Sequence, residues 1–359
     1  MTGYRNIAVF LPNWVGDAVM ATPALRALRS HFHQARLIGI LKPYVAGVLA
    51  GTPWLDRQIF LDSKGPACQR WPSVSARLRK ETVDLAVLFP NSFHAAWVAW
   101  LGQCRQRVGY ARYSRGWLLT DPLEPHCGPG GKIIPSPVID AYNRLVEHVG
   151  CPRPSYQMEL ATTSADEKAA ETVWEQGGFS RHADVIGLNP GAAFGSAKYW
   201  PVESFARLAQ QFVDRRGSGV LVLCGPGEKN LARQIVIFAN RPGVYSLADQ
   251  PLSIGLTKAC VRRVRLLITT DSGPRHFAAA FDRPVVTLFG PTHIAWTETN
   301  FPKAVHLQKK VDCGPCQLRV CPLDHRCMKG LTPAEVFSAG DELLTRIFQS
   351  TPKGKKRAG

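Results

Sequence analysis

Acidic side chains are scarce in this chain. Asp and Glu number 27 against 44 Lys and Arg in 359 residues, which leaves a formal charge of +17. Such an excess points to an anionic partner: nucleic acid, nucleotide, phosphorylated glycan or an acidic membrane surface. Long apolar runs are also missing. The nearest approach to a run of about 18 apolar residues is residues 85–102, and Pro90, Asn91, Ser92 and His94 interrupt it. It reads as strand, turn and helix. The opening MTGYRNIAVF lacks the apolar core of a secretory leader and leads straight into a strand. The expectation is a cytoplasmic protein that rests against a membrane face through basic residues. Ten cysteines are too sparse for a secreted disulfide framework. A Gly-x-Gly-x-x-Gly turn is absent after the first strand, which argues against a dinucleotide-dependent oxidoreductase. Lys and Arg are spread along the chain without a recognisable nucleic-acid module, so nucleic acid is not the expected partner.

What the chain does have is alternation. Short β-branched runs (NIAVFL, ARLIGIL, QIFLD and DLAVLFP, then DVIGLNP, GVLVLCG, RLLITT and PVVTLFG) alternate with helix-like segments. This order predicts parallel sheets with helices on both faces, an α/β architecture. With 45% hydrophobic residues the length suffices for two domains. The proline-rich CPRPSYQMEL, residues 151–160, reads as the seam. The expected layout is one domain over 1–155, a second over 156–335, a C-terminal helix over 336–350 and a basic tail over 351–359.

Open parallel sheets bind ligands beyond the carboxyl ends of their strands, so four turns draw the search. In NWVGDAV, Gly16 permits a tight turn and Asp17 stands at a helix entrance, ahead of an apolar helical run through Val19, Met20, Leu25 and Leu28. That acid caps a helix or works as a base. In NPGAAFGSAKYWP, the small residues from Gly191 and Ala192 onward expose amides to phosphate oxygens, and Lys198 adds a compact positive charge. In CGPGEKN, Glu228 opens a helix; it suits ribose hydroxyls or the helix dipole. In TTDSGPRHFAAAF, Asp271, Ser272 and Gly273 make a turn before Pro274. The helix start and the Ser272 hydroxyl suit a phosphate, Asp271 suits sugar hydroxyls, and His276 is placed to bond the same anion.

Taken in order, NWVGDAVMATPALRAL, NPGAAFGSAKYWP, DSGPRHFAAAFDRPVVTLFGPT and CGPCQLRVCPLDHRCM resemble the ADP-heptose:lipopolysaccharide heptosyltransferases of glycosyltransferase family 9, the type II enzymes most. The likeness covers about residues 5 to 348. It implies the GT-B fold, two Rossmann-like doubly wound domains facing each other across a cleft. It also implies inverting transfer of L-glycero-D-manno-heptose from ADP-heptose to heptosyl-Kdo2-lipid A, the inner core of lipopolysaccharide. The first domain would bind the acceptor and the second the nucleotide sugar, at the cytoplasmic face of the inner membrane. By the same resemblance Asp17 matches the general base and Lys198 the lysine at the donor diphosphate and sugar. Asp271 matches the aspartate holding heptose hydroxyls, Ser272 and Gly273 lie at the phosphates, and Glu228 matches a ribose ligand. Ala193 and Phe194 replace hydroxyl residues that some relatives carry before the lysine. The alternatives are another nucleotide sugar or glycan acceptor, or a binding protein without turnover.

No Asp-x-Asp triplet occurs, in keeping with a mechanism that needs no metal cofactor. The segment CGPCQLRVCPLDHRC places Cys313, Cys316, Cys321 and Cys327 close together, with His325 among them. Four thiolates, or three with His325, suit a structural zinc; a reduced or oxidised surface segment is the other reading. Arg105, Arg107, Arg112 and Arg115 cluster near a strand end, to meet acceptor anions or to form a solvated basic face.

Overall fold

The protein is described by a computed structural model covering residues 3–128 and 134–349; the basic tail lies outside the described residues. The chain divides into two compact units, Met1–Thr163 with Ala295–Thr299, and Ser164–Ile294 with Asn300–Gly359. The division falls after Thr163, beyond the proline-rich stretch. That stretch lies along the first unit: Glu159 N–H donates to Thr22 Oγ1 at 3.1 Å, Arg26 pairs with Glu159 at 2.5 Å, and the Tyr156 hydroxyl donates to Asp140.

The first unit runs β1 (Asn6–Phe10), α1 (Val15–Met20), α2 (Thr22–His31), β2 (Arg36–Leu41), α3 (Pro43–Leu49), β3 (Arg57–Phe60), α4 (Trp71–Glu81), β4 (Leu85–Leu88), α5 (Phe93–Leu101), β5 (Gln106–Tyr110), β6 (Asp121–Leu123) and α6 (Val138–His148). The second runs α7 (Ser164–Gln176), β7 (Val185–Asn189), α8 (Val202–Arg216), β8 (Gly219–Val222), α9 (Lys229–Ala239), β9 (Val244–Ser246), α10 (Ile254–Arg263), β10 (Leu266–Thr270), α11 (Gly273–Ala280), β11 (Val285–Phe289), β12 (Ala304–Gln308), α12 (Arg326–Lys329) and α13 (Pro333–Gln349). The last helix belongs to the second unit, where it packs on α8 and on β10, β11 and β12.

Each unit holds one six-stranded sheet, in the orders β3-β2-β1-β4-β5-β6 and β12-β11-β10-β7-β8-β9. All pairings are parallel. Read from its first strand, each sheet winds outward one way and then the other. Two halves with no visible sequence repeat therefore share one topology. Ile7, Ala8 and Val9 on β1, and Leu266, Leu267 and Ile268 on β10, are completely buried, as strands covered on both faces must be.

The apolar run after β1 reads as one helix in the sequence, and the structure breaks it at Ala21. Pro23 has no N–H to give the Val19 carbonyl, so a single helix would lose that bond. Thr22 Oγ1 donates to the Val19 carbonyl instead, at 2.7 Å. Ala21 closes α1 and starts α2, with Pro23 in the first turn.

Candidate active site

Strand order reverses between β1 and β4 in the first unit and between β7 and β10 in the second. Loops on either side of such a reversal part beyond the strand ends and leave a crevice. The singled-out residues gather at these two places.

In the first unit a cavity of about 760 Å³ opens there. Asp17, in the first turn of α1, lines it together with Asn13 and Trp14, and Pro90, Asn91 and Ser92 after β4 line it too. Gly16 lies inside α1, since Trp14, in extended conformation, makes the entry. Helix α6 supplies another wall through Asp140, Arg144 and Glu147, a stripe at helical spacing. Tyr142 on the same helix packs at a tilt against Phe89, centroids 5.0 Å apart. Burial, and then the charge of Asp17, hold the Tyr142 hydroxyl well above the usual phenol range, so it stays protonated beside the carboxylate.

Of the four clustered arginines, Arg112 lines this cavity. Arg115 is fully buried. Its guanidinium donates to the carbonyls of Tyr110, Pro90 and Ser92 at 2.9, 2.5 and 3.0 Å, and to Asn91 Oδ1 at 3.2 Å. Burial, then the charge of Arg112, lowers its pKa to about 10. Arg115 therefore meets no acceptor; it fastens the loop forming the cavity wall. Arg107 is spent on the carbonyls of Cys104 and Leu118, and Arg105 pairs with Asp84 on the surface.

In the second unit Lys198 and Asp271 are both buried. Lys198 Nζ donates to Asp271 Oδ2 at 2.6 Å and to its carbonyl at 2.8 Å. Thr292 Oγ1 donates to Asp271 Oδ2 at 2.8 Å, and Arg275 approaches Oδ1 at 3.3 Å. Burial opposes ionisation of this carboxyl. The charges of Lys198 and Arg275, with the Lys198 and Thr292 hydrogen bonds, outweigh it and hold Asp271 down at about 2. The ammonium also lies over the Phe194 ring, 4.7 Å from its centroid.

Asn189 ties the strand ends together. Its Nδ2 donates to Ser272 Oγ at 2.8 Å and to Thr269 Oγ1 at 3.0 Å, while Thr270 Oγ1 donates to the Gly191 carbonyl at 2.7 Å. Ser272 is the N-cap of α11 without a side-chain capping bond. Its hydroxyl holds the turn, and Gly273 begins the helix beside it. A helix start of this kind receives anions through backbone amides. Gly191 and Ala192 are buried at the end of β7, and a Cβ on Gly191 would stand 2.0 Å from the Glu228 carboxyl. Glu228 thus abuts the Gly191 turn, and its Oε2 accepts the Gly225 N–H at 2.8 Å. His276 lies in the first turn of α11. It is buried, and burial followed by the Arg275 charge holds its imidazole well below the usual range. A neutral ring adds no positive charge for an anion but keeps one N–H to donate.

The cysteine segment reaches this site from a side that spacing does not reveal. The Arg319 carbonyl accepts the Ala197 N–H at 3.0 Å, and a Cβ on Gly195 would stand 2.2 Å from the same oxygen. The Arg319 guanidinium lies over Phe194 at 5.6 Å. The segment therefore braces the lysine loop. Cys313, Cys316, Cys321 and Cys327 line one small cavity as free thiols. Among the described residues no three His, Cys, Asp or Glu side chains stand in a metal-holding arrangement.

The sequence model for "Glycosyltransferase family 9 (heptosyltransferase)" matches residues 71–326, a span that carries the lysine loop, the Asp271 turn and most of the cysteine segment. The chain belongs to glycosyltransferase family 9. It is a glycosyltransferase enzyme. This family 9 chain is 27% identical to lipooligosaccharide heptosyltransferase 2 of Campylobacter jejuni, over 94% of its own length and 98% of the relative's. It is 28% identical to lipopolysaccharide heptosyltransferase 2 of Escherichia coli K12, over 80% and 83%. Among solved structures, ADP-heptose lipopolysaccharide heptosyltransferase II of E. coli superposes with a TM-score of 0.78 at 24% identity, covering 95% of this chain and 99% of that one. The family 9 glycosyltransferase of Veillonella parvula gives 0.80 at 21% identity, covering 96% and 98%. These likenesses establish the GT-B fold of the family 9 enzyme. Among its described residues, no helix is long and apolar enough to cross a membrane.

Proposed function

We propose that this enzyme transfers L-glycero-D-manno-heptose from ADP-heptose to the inner core of lipopolysaccharide, on heptosyl-Kdo2-lipid A, with inversion at the anomeric carbon. The observation that carries the reading is the buried Lys198–Asp271 pair beside the start of α11. A family 9 enzyme must hold a sugar diphosphate, and here a cation and a helix start adjoin an acceptor-only carboxylate. In the second unit Lys198 and the Gly273 amide receive the diphosphate, Asp271 takes sugar hydroxyls, and Glu228 takes the ribose. In the first unit Asp17 accepts the proton of the attacking hydroxyl. The acceptor oxygen bonds to the anomeric carbon as the bond to the phosphate oxygen breaks. ADP leaves with that electron pair, and Lys198 with the helix start stabilises the charge it gains. These residues supply the charge stabilisation that a metal gives elsewhere, so we infer a reaction without a metal cofactor. Localisation at the cytoplasmic face of the inner membrane, held peripherally, fits a lipid-anchored acceptor and the net charge.

The test is turnover of ADP-heptose with purified heptosyl-Kdo2-lipid A in EDTA, followed by ADP release and product mass. The expected product is heavier by one heptose. ADP-heptose binding without product would replace the acceptor assignment, and absence of binding would remove the donor assignment. Gly191→Ala probes the nucleotide end. The added Cβ has to displace the Glu228 carboxylate, a flexible group, so the fold is expected to hold. ADP affinity by calorimetry should weaken roughly tenfold, the scale of one hydrogen bond to a charged group. Unchanged affinity would take Glu228 out of the nucleotide site.

A further inference from the structure

Helix α5, FHAAWVAWL, is apolar apart from His94. Ala95, Ala96, Val98 and Ala99 face the core. The opposite side carries an aromatic ladder. Phe93 and Trp97 stack with centroids 6.2 Å apart, Trp97 and Trp100 at 5.1 Å, and Trp117 closes the set at 6.5 Å from Trp100 and 6.2 Å from Phe93. Trp97 is partly buried against the core, while Phe93 and Trp100 are each 42% exposed and Trp117 is 65% exposed. Scattered exposed apolar residues need no explanation, whereas a contiguous aromatic patch marks an interaction surface.

The charge around the patch identifies what it meets. Residues 85–120 contain no Asp or Glu and four Arg; Arg115 is buried and Arg107 is held by carbonyls, which leaves Arg105 and Arg112 beside the patch. Arg105, 80% exposed just after α5, pairs with Asp84 at 3.5 Å, and Arg112 lies over the exposed Tyr113 ring at 5.1 Å. Indole and phenol rings favour a boundary that is apolar at one end and wet at the other, and basic residues beside them favour anionic headgroups. The patch also borders the first-unit cavity. Ser92, which caps α5 next to Phe93, and Arg112, next to Tyr113, both line that cavity.

We propose that the Phe93–Trp97–Trp100–Trp117 surface docks on an anionic phospholipid bilayer. Docking there brings the cavity of Asp17 to the membrane plane, where a lipid-anchored acceptor enters without leaving the bilayer. The acceptor part rests on the function proposed above, but the docking surface itself does not.

The experiment is co-sedimentation of the full chain with acceptor-free vesicles, of phosphatidylethanolamine with phosphatidylglycerol or of phosphatidylcholine alone. The parent is expected on the anionic vesicles, less so as salt rises, and weakly on the neutral ones. Trp100→Ser with Trp117→Ser should lower the bound fraction at least roughly tenfold, by withdrawing two indoles from the interface. Its ADP-heptose affinity and circular dichroism should match the parent's. A double variant that binds anionic vesicles as well as the parent would overturn the proposal. So would a parent that ignores vesicles, including one whose dimer the double variant dissociates, since the rings would then cover each other. Because the vesicles carry no acceptor, failure here leaves the transfer reaction untouched, and failure of the transfer reaction leaves the docking result standing.

Discussion

Asp17→Asn is expected to lower turnover roughly 10²–10⁴-fold while ADP-heptose affinity and the unfolding transition stay near those of the parent. Asp17 lies in the first turn of α1. Its charge there contributes about 0.3–1 kcal/mol against the helix dipole. Asparagine fills the same volume and cannot take a proton. The other acids of the cavity are engaged differently: Tyr156 donates to Asp140, and Glu147 faces Arg153 at 3.6 Å. Tyr142, held protonated beside Asp17, cannot serve as the base in its place. Proton transfer belongs to the transition state, so kcat should fall with little change in the KM for the acceptor. Steady-state kinetics on both substrates, with calorimetric donor binding, makes the check. Turnover within a few-fold of the parent would reduce Asp17 to a helix acid.

How far the sequence reaches follows from what each strand does. The strands flanking each reversal, β1, β4, β7 and β10, are buried apolar runs and stand out in the sequence. The strands missed, β5, β6, β9 and β12, lie toward or at the sheet edges. There residues such as Gln106, Asp121 and His306 are only partly buried, so the apolar signal fades. The site divides in the same way. Asp17, Lys198, Glu228 and Asp271 lie on strand-to-helix turns, where the fold class tells a reader to look. Tyr142 and Arg144 lie within α6, far along the chain, and a charged helical stripe such as Asp140, Arg144 and Glu147 reads equally as a solvated face. The Arg115 anchor is hidden for another reason: its acceptors are mostly carbonyls, and any sequence has those. The bracing of Gly195 by the Arg319 carbonyl is likewise backbone chemistry with no residue signature.

Lys198→Met is expected to destabilise the protein by about 3–5 kcal/mol, the cost of leaving one member of a buried ion pair alone. It should also reduce turnover roughly 10²–10³-fold, as loss of one preorganised charge at a developing anion does. The two losses come apart in the double variant. With Lys198 gone, Asp271 remains buried with Arg275 at 3.3 Å and the Thr292 hydroxyl, and its folded-state pKa rises. In the parent that pKa lies below the value of about 3.9 for an unfolded Asp. The pair's stabilisation is therefore full above pH ~4 and fades as pH falls toward the folded value, held by the surrounding charges at about 2. In Lys198→Met the deficit against the parent should be widest at neutral pH and should narrow in acid, where the lone carboxylate is protonated. Adding Asp271→Asn removes the stranded charge and should restore much of the stability at pH 7. It should restore none of the turnover, because the donor's diphosphate still lacks its cation. Urea unfolding of the two variants and the parent across pH, beside single-turnover rates, reads both quantities. If the double variant recovers stability and turnover together, Lys198 acts only by balancing Asp271, and the charge on the leaving group must be met by another residue.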